Sequence, residues 1–304
     1  MNVNRLAASA LVRAPAKLNL FFEVLAKRSD GFHEIETLMV PIGLFDSLIA
    51  STDPEGRISV ACRWAAPGDG AILDVARGSL PGEMTRNLAY RAVELLRERA
   101  GAGQGIQIEL VKRIPTEAGL GGGSSDAAAA LLAANALWEL DWSREALAEL
   151  AAELGSDVPF FLADGPSICR GRGERVERVA GLGAIDLVIV RPPDGLSTAK
   201  VYGNCRVPDA PMPVEPVITA LRRGDARGLR RAMHNRLEEA AADLSPWVGR
   251  LRREFAREDC LAAQLCGSGS AYFGICRHAR HARRVAGRLR MRGVGQVYAA
   301  RTSK

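Results

Sequence analysis

Gly119-Leu120-Gly121-Gly122-Gly123-Ser124-Ser125 is the stretch on which the fold of this 304-residue chain turns. Before it, Ile106 to Val111 alternates apolar and polar residues as a strand does. After it, Ser124 to Leu140 is dense in Ala and Leu, which predicts a helix with Ser or Asp available to cap its start. Several glycines in succession leave backbone N–H groups unshielded by Cβ atoms, and a helix start adds partial positive charge. Together they make an anion site suited to a polyphosphate. The Gly-Lys-Ser/Thr ending of a Walker A loop is absent. The plain alternative is a tight glycine turn, but four glycines in five positions followed by two serines exceed what a turn needs.

Working outward, residues 12–25 read as a strand after Pro15, Asp30-Gly31 as a turn, and residues 33–50 as further strand. Residues 51–82 are rich in Gly, Pro and Asp, with a strand expected at Arg57 to Cys62. Asn87 to Glu98 carries apolar residues at helical spacing and stops before Gly101. A second helix is expected at Arg144 to Leu154. Gly155-Ser156-Asp157-Val158-Pro159 breaks it and begins a third, short one. From Gly165 the pattern is glycine-rich turns and then a strand at Asp186 to Arg191. Helices follow at Val217 to Leu221, Ala226 to Ala241 and Pro246 to Glu258. Cys266 to Cys276 reads as a loop and strand, and a helix–strand pair closes the chain after Ala279. The boundary between two domains, 1–165 and 166–304, is placed near Ala163 to Pro166.

Composition excludes several classes. Hydrophobic residues make up 47% and charged residues 25%, an ordinary globular mixture, and no apolar run approaches the roughly 20 residues that span a bilayer. Met1 to Leu11 is too polar for a secretory signal and is expected to be a frayed extension, so a cytoplasmic location is expected. The six cysteines show no C-x-x-C pair, which points to reduced thiols, and no Cys/His spacing suggests a metal site. The net charge of +6 comes largely from arginines in the last third. Aromatics at 5% leave little on which to stack nucleic-acid bases, so the arginines are read as solvated helix faces. Only five of the 41 basic residues are lysines. A chain that otherwise writes Arg keeps Lys where a compact ammonium is wanted, which draws attention to Lys17 and Lys112.

Three segments carry a resemblance. Ile114-Pro115-x-x-Ala118-Gly119-Leu120-Gly121-Gly122-Gly123-Ser124-Ser125-Asp126-Ala127-Ala128 resembles the second motif of the GHMP kinases. Pro15-Ala16-Lys17-Leu18-Asn19 resembles their first motif, and Cys266-Gly267-Ser268-Gly269-Ser270-Ala271 their third, in the same order. The resemblance implies an α+β, two-domain GHMP kinase fold with its active site in the cleft between domains. The amino-terminal domain would be like a ribosomal-protein domain and the carboxy-terminal one an α/β plait. Within the family, Arg28-Ser29-Asp30-Gly31-Phe32-His33, Glu36-Thr37, Gly155 to Phe161, Ser197 to Tyr202 and Asn235-x-Leu237-Glu238 are similar to one branch. Its acceptor is 4-diphosphocytidyl-2-C-methyl-D-erythritol, an intermediate of non-mevalonate isoprenoid synthesis.

That resemblance implies the chemistry. A hydroxyl attacks the γ-phosphorus of ATP, while the enzyme positions the groups and neutralises charge. Asp157 is the implied base and Lys17 its electrostatic partner; on the residues alone, the better reading of Asp157 is a helix cap and of Lys17 a solvated strand residue. The nucleotide side would use Lys112, Pro115, Gly119, Leu120, Gly121, Gly122, Gly123, Ser124 and Ser125, the two hydroxyls serving phosphate or the Mg²⁺ that ATP carries. The acceptor side would use Asn19 near the reacting end, Phe32 and Tyr202 to stack the base, His33 to read its edge, and Gly267, Ser268 and Gly269 for close backbone approach. Core packing is the bland reading of Phe32, and a backbone-satisfied turn that of His33. No resident metal, nucleic acid or membrane is implied, and the chain would be a monomer or weak homodimer.

Three positions depart from the family pattern. Thr116-Glu117 sets a carboxylate beside a polyanion site, so Glu117 is expected to face solvent. Cys266 stands for a hydroxyl residue, and His234-Asn235-Arg236 lacks an Asp after the Asn. Two rivals stay open: a GHMP kinase for a sugar or amino-acid alcohol, and a basic nucleotide- or RNA-binding protein without activity.

Overall fold

The turn at Asp30-Gly31 joins two strands that are each longer than their sequence patterns suggest. In the computed structural model, which describes residues 1–6, 8–65, 72–73 and 86–303, β2 (Ser9–Lys27) and β3 (His33–Asp53) each run through both compact units of the chain. One unit comprises residues 1–16, 44–114 and 121–164; the other comprises residues 17–43, 115–120 and 165–304. Much of the stretch 51–82 lies outside the described residues.

In the first unit, Met1 to Leu11 is not a frayed extension. β1 (Val3–Leu6) pairs antiparallel with the start of β2, Val3 opposite Val12, and the terminal amino group lies 3.0 Å from Asp164 Oδ1. Backbone pairing holds this hairpin, and polar side chains outside a ladder leave no apolar pattern to read. The second half of β3 pairs antiparallel with β6 (Gly105–Lys112), and β4 (Ile58–Ala65) lies parallel to β6, with the two-residue β5 (Ile72–Leu73) beyond it. Helix α1 (Leu88–Ala100) is capped by the Asn87 side chain on Ala89 N–H and stopped by Gly101, whose φ of 60° suits a residue without Cβ.

α2 (Gly122–Leu137) starts two residues before the expected Ser124 and ends three short of Leu140. No Ser or Asp caps it. Gly121, at φ 70°, takes the N-cap position, because Ser125 and Asp126 lie inside the first turn. Its residues from Ser125 to Ala134 are all buried, so small Ala side chains let neighbours approach on every side. α1, α3 (Arg144–Leu154) and α4 (Val158–Leu162) pack against it.

In the second unit, the glycine-rich stretch after Gly165 contains two strands that the glycines disguise. β7 (Ser167–Gly171) pairs with the first half of β3, and β8 (Arg175–Arg178) pairs with β7. A separate four-stranded antiparallel sheet has the order β10-β11-β9-β12, from β9 (Asp186–Arg191), β10 (Ala262–Leu265), β11 (Tyr272–Cys276) and β12 (Gln296–Arg301). With a helical crossover between β9 and β10 and another between β11 and β12, this is the expected plait. The helices between β9 and β10 are α5 (Thr198–Asn204), α6 (Glu215–Arg223), α7 (Ala226–Ala232), α8 (Leu237–Leu244) and α9 (Pro246–Ala256). Brevity hides α5 from a reading of apolar periodicity. The single helix expected at Ala226 to Ala241 is two, because Phe22 N–H bonds His234 C=O and Arg236 N–H bonds Phe22 C=O, pulling 234–236 into a strand-like bridge. α10 (Ala279–Met291) buries Ala282, Val285, Ala286 and Leu289 on one stripe, where each larger side chain contributes about 1.5–3 kcal/mol, and leaves its arginines outside.

Candidate active site

The first and third motifs meet the opening of the second inside the second unit. Lys17 N–H donates to Leu120 C=O at 3.0 Å, while Ser270 and Ala271 N–H groups donate to the carbonyls of Glu117 (3.3 Å) and Ala118 (3.1 Å). The Cys266 thiol approaches Gly119 O at 3.4 Å. Gly119 must be glycine: its φ is 73°, and a Cβ there would strike Cys266 O. Gly267 (φ 54°) is held as close, since a Cβ would lie 3.0 Å from Asn19 Oδ1 and 3.6 Å from Lys17 Nζ. Lys17 is 4% exposed, and its ammonium donates to Asn19 Oδ1 at 2.7 Å. A solvated strand residue it is not. Lys17, Asn19, Gly119, Leu120, Gly267 and Gly269, with Ser268 between the last two, therefore form one constellation, and Pro115 lies in the same unit without a bond to them.

Asn235 holds the third loop in place, a role its sequence context does not disclose. Its amide nitrogen donates to Leu265 O (2.9 Å) and Gly267 O (2.8 Å), and its oxygen accepts Leu237 N–H. Arg236, one residue on, is fixed by both oxygens of the fully buried Glu23 carboxylate. Burial alone would raise the Glu23 pKa; the Arg236 guanidinium and two backbone N–H groups outweigh it and hold the carboxyl below its ordinary value. An Asn between a cation and a helix start gives no sign that it faces a loop 32 residues away.

Ser268 Oγ shares a hydrogen bond of 2.9 Å with Thr198 Oγ1 at the start of α5, and the same helix carries Tyr202. The Tyr202 ring lies 5.2 Å from the His33 ring at 35°, and edge-on to Phe22 at 6.4 Å. Burial, seconded by the Lys27 charge, lowers the His33 pKa, so the imidazole is neutral at neutral pH. Phe32 is 49% exposed, with the Arg172 guanidinium over its ring at 4.9 Å, so core packing does not explain it. The turn beneath is set by Asp30, whose side chain accepts Phe32 N–H and the Arg28 guanidinium. Glu117 is exposed, as expected of a carboxylate near a polyanion site.

In the first unit the second motif continues as Gly121 to Ser125 and opens α2. The first intrahelical bond is Ser125 N–H to Gly121 C=O, so Gly122, Gly123 and Ser124 N–H groups have no acceptor within the helix. Ser125 Oγ is buried and has no hydrogen-bond partner among the described residues. Lys112 lies beneath the loop, its ammonium 3.6 Å from where a Gly122 Cβ would sit, and bonds both Asp46 and Asp126. Asp46 in turn accepts the N–H groups of Arg113 and Ile114, the latter at 2.9 Å. Burial and the neighbouring Asp46 push the Asp126 carboxyl up to about 7, against the pull of Lys112. Asp157 stands at the N-cap position of α4, yet its side chain makes no capping hydrogen bond, which removes the helix-cap reading. Among the described residues no cluster of His, Cys, Asp or Glu could hold a metal ion, and no helix is long and apolar enough to cross a membrane.

A glycine loop opening a buried helix, together with a four-stranded plait, is the arrangement of the GHMP kinase class. The GHMP kinases N terminal domain matches residues 87–165, and the GHMP kinases C terminal domain matches residues 217–294. A 4-diphosphocytidyl-2-C-methyl-D-erythritol kinase from Pelotomaculum thermopropionicum is 41% identical over 295 residues, covering 95% of this chain and 96% of the relative. The protein of the same name from Bacillus cytotoxicus is 38% identical, with 96% of each chain covered. A crystal structure of 4-(cytidine 5'-diphospho)-2C-methyl-D-erythritol kinase superposes with a TM-score of 0.76 at 36% identity, over 97% of this chain and 100% of that one. The chain belongs to the 4-diphosphocytidyl-2-C-methyl-D-erythritol kinase family of the GHMP kinases.

Proposed function

We propose that the chain transfers the γ-phosphate of ATP to the 2-hydroxyl of 4-diphosphocytidyl-2-C-methyl-D-erythritol, in non-mevalonate isoprenoid precursor synthesis. The observation that carries the acceptor is the half-exposed Phe32 ring next to His33, whose own ring lies tilted against that of Tyr202. A half-exposed flat ring beside a neutral imidazole suits a pyrimidine face and edge, and stacking of this kind is worth about 1–3 kcal/mol per base. Lys17 steadies the nascent alkoxide, Asn19 fixes the ammonium and the reacting end, and Asp157 accepts the hydroxyl proton. Gly119 to Ser124 offer backbone N–H groups to the phosphates, and the unpartnered Ser125 hydroxyl fits phosphate or the Mg²⁺ that arrives with ATP. Lys112 acts on ATP from beneath the loop. Residues 1–165 serve as the amino-terminal ATP-binding domain and 166–304 as the carboxy-terminal domain, in line with the family matches. ATP and the cytidylyl compound are the partners, in the cytoplasm, without nucleic acid or membrane.

An ATPase assay coupled to ADP release tests this directly. ADP release dependent on the cytidylyl compound, and absent with homoserine or galactose, is expected; the reverse pattern establishes a different GHMP kinase, and no release with any alcohol a non-enzyme. His33 supplies a second check. His33→Ala raises KM for the cytidylyl compound at least about tenfold, the scale of one lost base-edge hydrogen bond, with KM for ATP unchanged. Because the His33 pKa is lowered, its charged form gains only below the ordinary value near 6.5. KM for the acceptor is therefore flat from pH 8 to about 6.5 and rises only below it. A rise that begins above pH 7 contradicts a neutral reader, and equal effects on both substrates contradict base recognition.

A further inference from the structure

We infer that Thr37 is a positioning residue for the phosphoryl transfer: it orients the Asn19 amide so that its oxygen, not its nitrogen, meets the Lys17 ammonium. The assignment rests on the roles proposed above for Lys17 and Asn19. It follows from hydrogen-bond polarity. Phe21 C=O can only accept, and it lies 2.6 Å from Thr37 Oγ1, so the single hydroxyl hydrogen of Thr37 points there. Toward Asn19, 2.9 Å away, that oxygen can then only accept, which places the amide nitrogen on the Thr37 side. The amide oxygen is left on the other side, 2.7 Å from Lys17 Nζ, where an ammonium needs an acceptor. The Cys266 thiol, 3.8 Å from the same oxygen, agrees with that polarity.

The side chains of Lys17 and Asn19 share one face of β2, and with the Phe21 carbonyl of the same strand and one hydroxyl from β3 they complete the chain of bonds. Asn19 and Thr37 are both fully buried, and water cannot replace the hydroxyl. A reversed amide would set N–H groups against the ammonium. A correctly set one engages one N–H of Lys17 and thereby fixes where its other two point. A hydroxyl that touches neither proposed substrate thus governs the aim of the cation that does.

The test measures kcat and KM with ATP and 4-diphosphocytidyl-2-C-methyl-D-erythritol for T37V, T37S, K17M, N19D and N19D combined with T37V, with folding followed by circular dichroism. T37V is expected to lower kcat about tenfold or more, as misaimed catalytic groups do, and to leave KM for ATP within about twofold. T37S, which keeps the hydroxyl, restores kcat to within about threefold of the parent. In the N19D background T37V has no further effect, because a carboxylate presents an oxygen to Lys17 whichever way it turns. Should T37V not fold, T37A takes its place in the same comparison. Parental kcat in T37V, equal damage by T37S and T37V, or an undiminished loss in the N19D background each overturn the role of Thr37. Parental turnover in K17M removes the underlying role of Lys17; loss in K17M with parental T37V removes only the inference.

Discussion

Asp157→Asn will bind ATP and the cytidylyl acceptor as the parent chain does and turn over at least about a hundredfold more slowly. Asparagine keeps the shape of the side chain and one carbonyl acceptor, and loses the capacity to take a proton. The start of α4 does not depend on the carboxylate. α4 begins without a side-chain cap, its start being secured instead by Val158 N–H on Gly155 C=O at 3.2 Å and by Pro159 in the first turn. The packing of α4 on α2 is made by the buried Val158, Phe160, Phe161 and Leu162, none of which the substitution touches. The circular dichroism spectrum of the variant should therefore keep the helical signal of the parent. Isothermal titration separates binding from turnover: a lost carboxylate removes repulsion from the ATP polyphosphate, so affinity holds or tightens while kcat falls. Near-parental kcat takes Asp157 out of the base role. Weaker ATP binding makes it a ligand or a prop.

What the sequence discloses about this molecule is set by the range of each interaction. The strand before the glycine run, the helix at Arg144–Leu154 and the stop at Gly101 are written in residues a few positions apart, and they stand where the pattern puts them. β1 and β7 are illegible in the sequence because backbone pairing to distant strands, and not apolar alternation, holds them. The start of α2 departs from expectation for a local reason: a left-handed glycine serves where a capping serine is the commoner choice. In the site, Lys17 and the glycines are visible through the spacing of three motifs. Their supports are not. Thr37 meets Asn19 from another strand, Asn235 meets Gly267 across two helices and a strand, and Lys112 meets Asp46 from 66 positions away. Periodicity reports which face is buried, and carries no information about which buried donor finds which acceptor.

Lys112→Met will destabilise the protein by about 3–5 kcal/mol at pH 7.5, the usual consequence of stranding buried charge. In the parent chain one ammonium, 10% exposed, is shared by Asp46 and Asp126, whose side chains are 0% and 5% exposed. Methionine fills the same space and leaves two carboxylates facing one another without a cation. Burial alone would lower the Lys112 pKa, but Asp126 and Asp46 together outweigh it and raise the value above its ordinary one, so its contribution is complete below about 10.5 and is lost only as pH rises through the raised value. In the variant the signs reverse. Buried, unpaired acids have folded pKa values above the unfolded value near 4, so the native state binds more protons, and stability falls as pH rises through that window. Asp126, already held at about 7 in the parent, shows the direction. The deficit in urea melts should shrink from pH 7.5 to pH 5; a deficit that grows on acidification refutes the ion cluster. Adding Asp46→Asn and Asp126→Asn to Lys112→Met removes the stranded charges, while the asparagine replacing Asp46 can still accept the N–H groups of Arg113 and Ile114 with its carbonyl oxygen. That triple variant should recover most of the lost stability. Its KM for ATP then decides how Lys112 serves the nucleotide. Recovery of KM along with stability means that Lys112 holds up the strand end and the loop above it, whereas a stable protein with a persistently raised KM means that the ammonium reaches the phosphates.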